Sequence, residues 1–136
     1  MASPVIGAMP RSAQSVIRVL LVEDEPKLRK SLVEGLQLEE WHVMGAASSA
    51  EAWHHLDTEV FDLIVLDWML PDGDGLEIVR RLRTQGNSVP VLMITARAGA
   101  SAAVQAKQSG ATDYLAKPFS FDDLLSRCRA LLTGAS

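Results

Sequence analysis

Short apolar runs punctuate the chain, and each ends on a polar residue. Val16–Val22 is interrupted only by Arg18 and runs into Glu23-Asp24-Glu25. Phe61–Leu66, broken only by Asp62, stops at Asp67. Val89–Ile94 stops at Thr95, and Thr112–Ala116 stops at Lys117-Pro118. A fifth, weaker run covers His42–Ala46. Apolar runs of this length bounded by turn residues predict strands buried on both faces. Between them the spacing becomes helical. Leu28, Leu32 and Leu36 recur after Pro26, which predicts a helix with Lys27, Arg29 and Lys30 facing outward. Ser48 with Glu51, and Ser120 with Asp123, fit helix-opening capping boxes. Trp53 and Leu56 lie inward on the second helix. Leu76, Ile78, Val79 and Leu82 make the third stripe, with Arg80, Arg81 and Arg83 toward its C-terminal end. Residues 100–108 predict a fourth helix, closed by Gly110, and Leu124, Leu125, Cys128, Leu131 and Leu132 a fifth. Strand and helix alternate five times. The fold class is therefore α/β, one five-stranded parallel sheet, doubly wound by five helices.

In an open α/β sheet, sites form at the carboxyl ends of the strands. Here four such ends carry Glu23 and Asp24, Asp67, Thr95 and Lys117. Three acids on neighbouring strand ends repel unless a cation or a raised pKa relieves them. Oxygen donors with room for water suit Mg2+. A single acid at a strand end needs no function, since water solvates it; three together argue for a site. Asp72 and Asp74 lie in a Pro-Asp-Gly-Asp-Gly turn, and turn chemistry accounts for them without a function. Side chains alternate along an extended segment, which directs Trp68 away from Asp67.

Val22-Glu23-Asp24-Glu25, Leu66-Asp67-Trp68-Met69-Leu70-Pro71-Asp72-Gly73, Ile94-Thr95-Ala96-Arg97 and Tyr114-Leu115-Ala116-Lys117-Pro118-Phe119 stand in this order along the chain. In sequence and spacing they resemble the response-regulator receiver domain of two-component signalling, over about residues 17 to 132. The resemblance implies the flavodoxin-like strand order 2-1-3-4-5. It implies Mg2+ held by Asp24, Asp67 and the Met69 carbonyl, with Glu23 acting through water. It assigns Asp67 as phospho-acceptor, Thr95 and Lys117 as catalytic partners, and Thr95 with Tyr114 as the switch. It further implies a cis Lys117-Pro118 bond, although X-Pro bonds in general favour trans. A histidine kinase or phosphotransfer protein would supply the phosphoryl group. The fourth helix, fifth strand and fifth helix would meet an output domain or effector. The expected protein is a cytoplasmic signalling switch that catalyses only its own phosphorylation and slow dephosphorylation.

Two other classes fit less well. A dehalogenase-like phosphohydrolase needs an acid two residues past its nucleophile, and Met69 cannot transfer a proton. A flavin-binding module needs a phosphate-cradling loop after the first strand, where Glu23-Asp24-Glu25 would repel phosphate. Within the receiver family the chain also departs from the winged-helix regulators. Ala102, Ala103, Gln108 and Thr112 replace positions that are commonly charged there. Asp113 and Arg127 remain as a pair that could bridge protomers.

Bulk properties narrow the partners. The 136 residues carry a net charge of −4, which offers no electrostatic case for nucleic-acid binding. No apolar stretch has the length of a membrane span. The one cysteine, Cys128, excludes an intrachain disulfide and lies on an apolar stripe. Residues 1–15 read as a flexible N-terminal leader, 16–132 as the domain, and 133–136 as a tail or the start of a linker.

Overall fold

Alternate residues of the central strands enter two separate interiors, and the architecture follows from that. In the computed structural model, which describes residues 16–97 and 99–134, β1 (Arg18–Val22), β2 (His42–Ala46), β3 (Leu63–Asp67), β6 (Val91–Thr95) and β7 (Asp113–Ala116) form a parallel sheet in the order β2-β1-β3-β6-β7. Counting these five alone, the order is the expected 2-1-3-4-5. The expected leader, residues 1–15, lies outside the described residues, as do residues 135 and 136.

Leu20, Val22, Ile64, Leu66, Val91 and Met93 pack on one face, under α2 (Ser49–Thr58), α3 (Gly75–Thr84) and α4 (Ala100–Gln108). Val19, Leu21, Leu63, Val65, Leu92 and Ile94 pack on the other, under α1 (Pro26–Gln37) and α5 (Phe121–Thr133). A period of two with both faces covered explains why the strands read as continuous apolar runs. Burying one such side chain fully is worth about 1.5–3 kcal/mol. The strands begin and end within two residues of the sequence expectation. β1 opens at Arg18 and β6 at Val91, and of the leading residues the Ile17 and Pro90 carbonyls still accept from the neighbouring strands, from the His42 and Ile64 N–H groups.

Helix starts follow half of the capping logic: each serine accepts as expected, but the returning carboxylate bond to that serine is made in neither box. Ser48 accepts from the Glu51 N–H at 3.1 Å, but the Glu51 carboxylate returns to Ala47 rather than to Ser48. Ser120 accepts from the Asp123 N–H at 3.0 Å. Arg29 does not face outward as the stripe suggests. Its guanidinium turns back onto the Glu23 and Asp24 carbonyls at 2.9 and 3.3 Å. Arg83, too, does more than balance a helix end. It donates to the carbonyls of Asn87, Val89 and Gly110, stitching the loops that flank β6.

A small antiparallel hairpin was not foreseen. β4 (Met69–Leu70) pairs with β5 (Gly73–Asp74), Met69 opposite Asp74 and Leu70 opposite Gly73. It occupies the segment read as a plain turn. Turn chemistry alone also understates its acids. Asp74 caps α3 through the Leu76 N–H at 2.8 Å. Asp72 reaches a different helix, accepting from the Ser49 and Ala50 N–H groups at the start of α2 at 2.8 and 3.0 Å. Those two donors hold its carboxyl below the usual 3.8.

Candidate phospho-acceptor and metal site

β1 and β3 are paired in register, Val22 opposite Leu66, so the residues that follow each strand core emerge side by side. Glu23 and Asp24 come from the first and Asp67 from the second. A carboxylate oxygen from each can be chosen so that all three lie within 4.8 Å of one another. Glu23 and Asp67 are buried, at 1% and 4% exposure, while Asp24 is exposed. Buried carboxylates need partners. Lys117 supplies one for both: its Nζ lies 2.8 Å from Glu23 Oε1 and 3.1 Å from Asp67 Oδ2. Burial pulls the Lys117 ammonium down, but its hydrogen bonds and charge attraction to Glu23 and Asp67 outweigh this and raise it above 10.5. Glu23 also accepts from the Glu25 N–H at 3.0 Å, and Asp67 Oδ1 from the Met69 N–H at 3.3 Å.

β6 runs beside β3 with Asp67 opposite Ile94, which sets Thr95 one residue further toward the same edge. Thr95 is fully buried. Its Oγ accepts from the Arg97 N–H at 3.0 Å, and its carbonyl accepts from the Lys117 N–H at 2.7 Å. The Lys117-Pro118 peptide is cis. Thus Glu23, Asp24, Asp67 and Lys117 are brought together and Thr95 adjoins them. Tyr114 is apart: half-buried against the α2–α4 side, it donates its hydroxyl to the Arg97 carbonyl. Met69 follows within the hairpin, with its side chain exposed.

Trp68 points away from Asp67, as alternation requires, and is buried in the opposite interior. Arg97 stacks its guanidinium over the indole, 4.7 Å from the ring centre. Periodicity gave no signal for this contact, since the two residues lie on different strand ends. Gly75 was missed as well. Its N–H donates to the Trp68 carbonyl at 2.6 Å, and it lies hard against the Asp67–Trp68 backbone. Asp113 and Arg127 do meet, at 3.2 Å, but within one chain, and Arg127 also donates to the Tyr114 carbonyl. Ala102 and Ala106 of α4 are buried, so only part of that alanine-rich helix is surface.

A family model described as response regulator receiver domain matches residues 19–129. The chain belongs to that family. Transcriptional regulatory protein TrcR of Mycobacterium tuberculosis is 44% identical over 135 residues, covering 97% of this chain and 52% of TrcR. Response regulator RppA of Synechocystis is 43% identical, covering 85% of this chain and 50% of its own. The Francisella response regulator 1452 receiver domain superposes with a TM-score of 0.83 at 30% identity, over 88% of this chain and 99% of that one. The receiver domain spans about half the length of the curated relatives it matches. It is a signalling module of two-component response regulators. Among the described residues no helix is long and apolar enough to cross a membrane.

The donor set of this receiver domain fits Mg2+: hard carboxylate oxygens, few in number, with one acid open to water. Millimolar Mg2+ should therefore raise its melting temperature. A ligand binding only the folded state at ten times its Kd adds about 1.4 kcal/mol. Thermal melts with Mg2+ and with chelator check this, and identical curves would count against the site.

Proposed function

We propose that this receiver domain takes a phosphoryl group from a histidine kinase or phosphotransfer protein onto Asp67, and that the change switches an output domain or effector. The observation that carries this is the constellation of Glu23, Asp24 and Asp67 with Lys117 on two of them. Asp24, Asp67 and the Met69 carbonyl would hold Mg2+, with Glu23 acting through water. When bound, the ion supplies positive charge for the phosphoryl oxygens. The chain's own groups do the rest. An Asp67 oxygen attacks phosphorus, the phosphorus–nitrogen bond of the phosphohistidine breaks, and the imidazole leaves with the electron pair. An acyl phosphate results. Lys117 already touches Asp67 and can follow the new charge as an ammonium point donor. Thr95 offers its hydroxyl from the adjoining strand. Water later attacks the acyl phosphate and returns the carboxylate and inorganic phosphate.

The Thr95 oxygen whose proton would go to the phosphoryl group also accepts from the Arg97 N–H, so a movement of Thr95 is passed to Arg97. Tyr114, bonded to the Arg97 carbonyl, shares that loop. This supports Thr95 and Tyr114 as the switch, with α4, β7 and α5 as the surface read by the partner. The relatives named as regulators, each about twice as long, support an output domain beside a receiver such as this. A switch that acts on transcription, as the name of one relative states, would work in the cytoplasm.

The test is incubation with Mg2+ and a small phosphodonor such as acetyl phosphate, followed by intact mass. One phosphate should be gained, and hydroxylamine, which cleaves acyl phosphates, should remove it. A hydroxylamine-resistant gain would contradict an aspartyl phosphate.

A further inference from the structure

The β4–β5 hairpin carries Met69 and is separated from Asp67 by one residue, Trp68. Few of its side chains anchor it: Leu70 is buried, Asp74 caps α3, Arg97 reaches the Met69 sulfur, and Asp72 holds the tip. Met69, Pro71, Asp72, Gly73 and Asp74 are all exposed, and Leu70 alone is buried. At its base the backbone is fixed by the Gly75 N–H on the Trp68 carbonyl. At its tip the fixing comes from Asp72. Both of its carboxylate oxygens are engaged, one by the Ser49 N–H and the other by the Ala50 N–H. These are the first two amides of α2, where a helix start favours an anion. The third amide, of Glu51, goes to Ser48. So α2 has an ordinary cap of its own, and the Asp72 clasp is additional. It joins a helix to a loop more than twenty positions away in the chain. The anchorage point is itself tied to the site, because Ala46, which ends β2, accepts from the Glu23 N–H at 2.9 Å.

We propose that Asp72 is a positioning residue for the acid site, clasping the hairpin tip to α2 so that the Met69 backbone stays in place beside Asp67. This rests on the reading of the Met69 carbonyl as a metal contact. Asp72 touches neither metal nor phosphoryl group; it acts through the hairpin. Released at the tip, the hairpin would pivot on its Gly75 base, and the Met69 carbonyl would have to be brought back into place at each binding event. Groups that orient a metal's ligands commonly matter tenfold or more to affinity.

Three variants separate this from a merely structural role. Asp72→Ala removes the clasp. Asp72→Asn keeps an oxygen that can accept one N–H and loses the charge. Ser48→Ala weakens the start of the same helix and leaves the hairpin tie intact. Mg2+ affinity is measured by calorimetric titration of each protein, and amide exchange over Leu70–Asp74 by mass spectrometry without metal. Mg2+ affinity should fall roughly tenfold in Asp72→Ala, less in Asp72→Asn, and stay at the parent value in Ser48→Ala. Hairpin amides should exchange faster in the Asp72 variants alone. Parent-like affinity in a folded Asp72→Ala, or an equal loss in Ser48→Ala, overturns the proposal. A parent protein that binds no Mg2+ overturns the metal reading, and the proposal with it.

Discussion

Asp67→Asn should take up no phosphate from acetyl phosphate under conditions in which the parent is expected to gain one. The amide removes the charge and the nucleophilic oxygen while keeping the shape of the side chain. Its remaining oxygen can still accept from the Met69 N–H, and Lys117 keeps its contact with Glu23 at 2.8 Å. The variant should therefore fold, with a melting temperature near that of the parent. Loss of label then reports chemistry rather than collapse. Other acids stand close by: Glu23 and Asp24 have oxygens in the same cluster. If either could serve, the variant would still gain mass. Intact mass of both proteins, side by side with circular dichroism, decides the matter. Equal labelling of Asp67→Asn would remove Asp67 from the role proposed for it.

Gly75→Ala should be the most damaging glycine-to-alanine change among the described residues. A Cβ at this position would fall inside contact distance of the Asp67 carbonyl oxygen and 3.1 Å from the Trp68 Cα. Both obstacles are backbone, and neither can rotate aside. The turn must open, which strains the 2.6 Å bond from the Gly75 N–H to the Trp68 carbonyl. Overpacking of this kind costs typically 1–3 kcal/mol, which for a domain of this size lowers the melting temperature by roughly 4–12 °C. Phosphate uptake should fall as well, because the displaced atoms include the main chain of Asp67. At Gly73, where the nearest atom a Cβ would meet is 4.0 Å away, the same substitution should be mild. Thermal denaturation and labelling of the two alanine variants make the comparison. A Gly75→Ala protein that melts with the parent would show that the turn relaxes freely.

The legible part of this molecule was what repeats or what carries charge at a strand end. Continuous apolar runs at β1, β3 and β6 needed two covered faces, and both faces are covered. Glu23, Asp24, Asp67, Thr95 and Lys117 announced themselves by standing where strands stop. What stayed hidden was held by backbone groups or by partners far off in sequence. The Asp72 carboxylate looks like any turn acid until α2 is placed beside it. Arg29 and Arg83 sit on the polar sides of helical stripes, and their length lets them turn onto carbonyls that no periodicity reveals. Arg127 and Asp113 were visible as a pair; that they close within one chain depends on the Arg127 side chain reaching from α5 to the start of β7.

Neighbours in the chain are strangers in space along β3. Leu66 shares its surroundings with Val22 and Met93, whereas Val65 shares its own with Leu21 and Leu92. The sheet is a wall one backbone thick between two rooms, and the buried strand side chains fall into one or the other. Coupling between core residues decays where contact ends. Volume lost in one room therefore cannot be made good by volume added in the other, and each has to be furnished on its own. Asp67 and Trp68 are consecutive residues at the end of that wall, one opening onto the acid site and the other onto the interior beneath α2 to α4. A single peptide unit is thus where events among the acids can be felt on the far side.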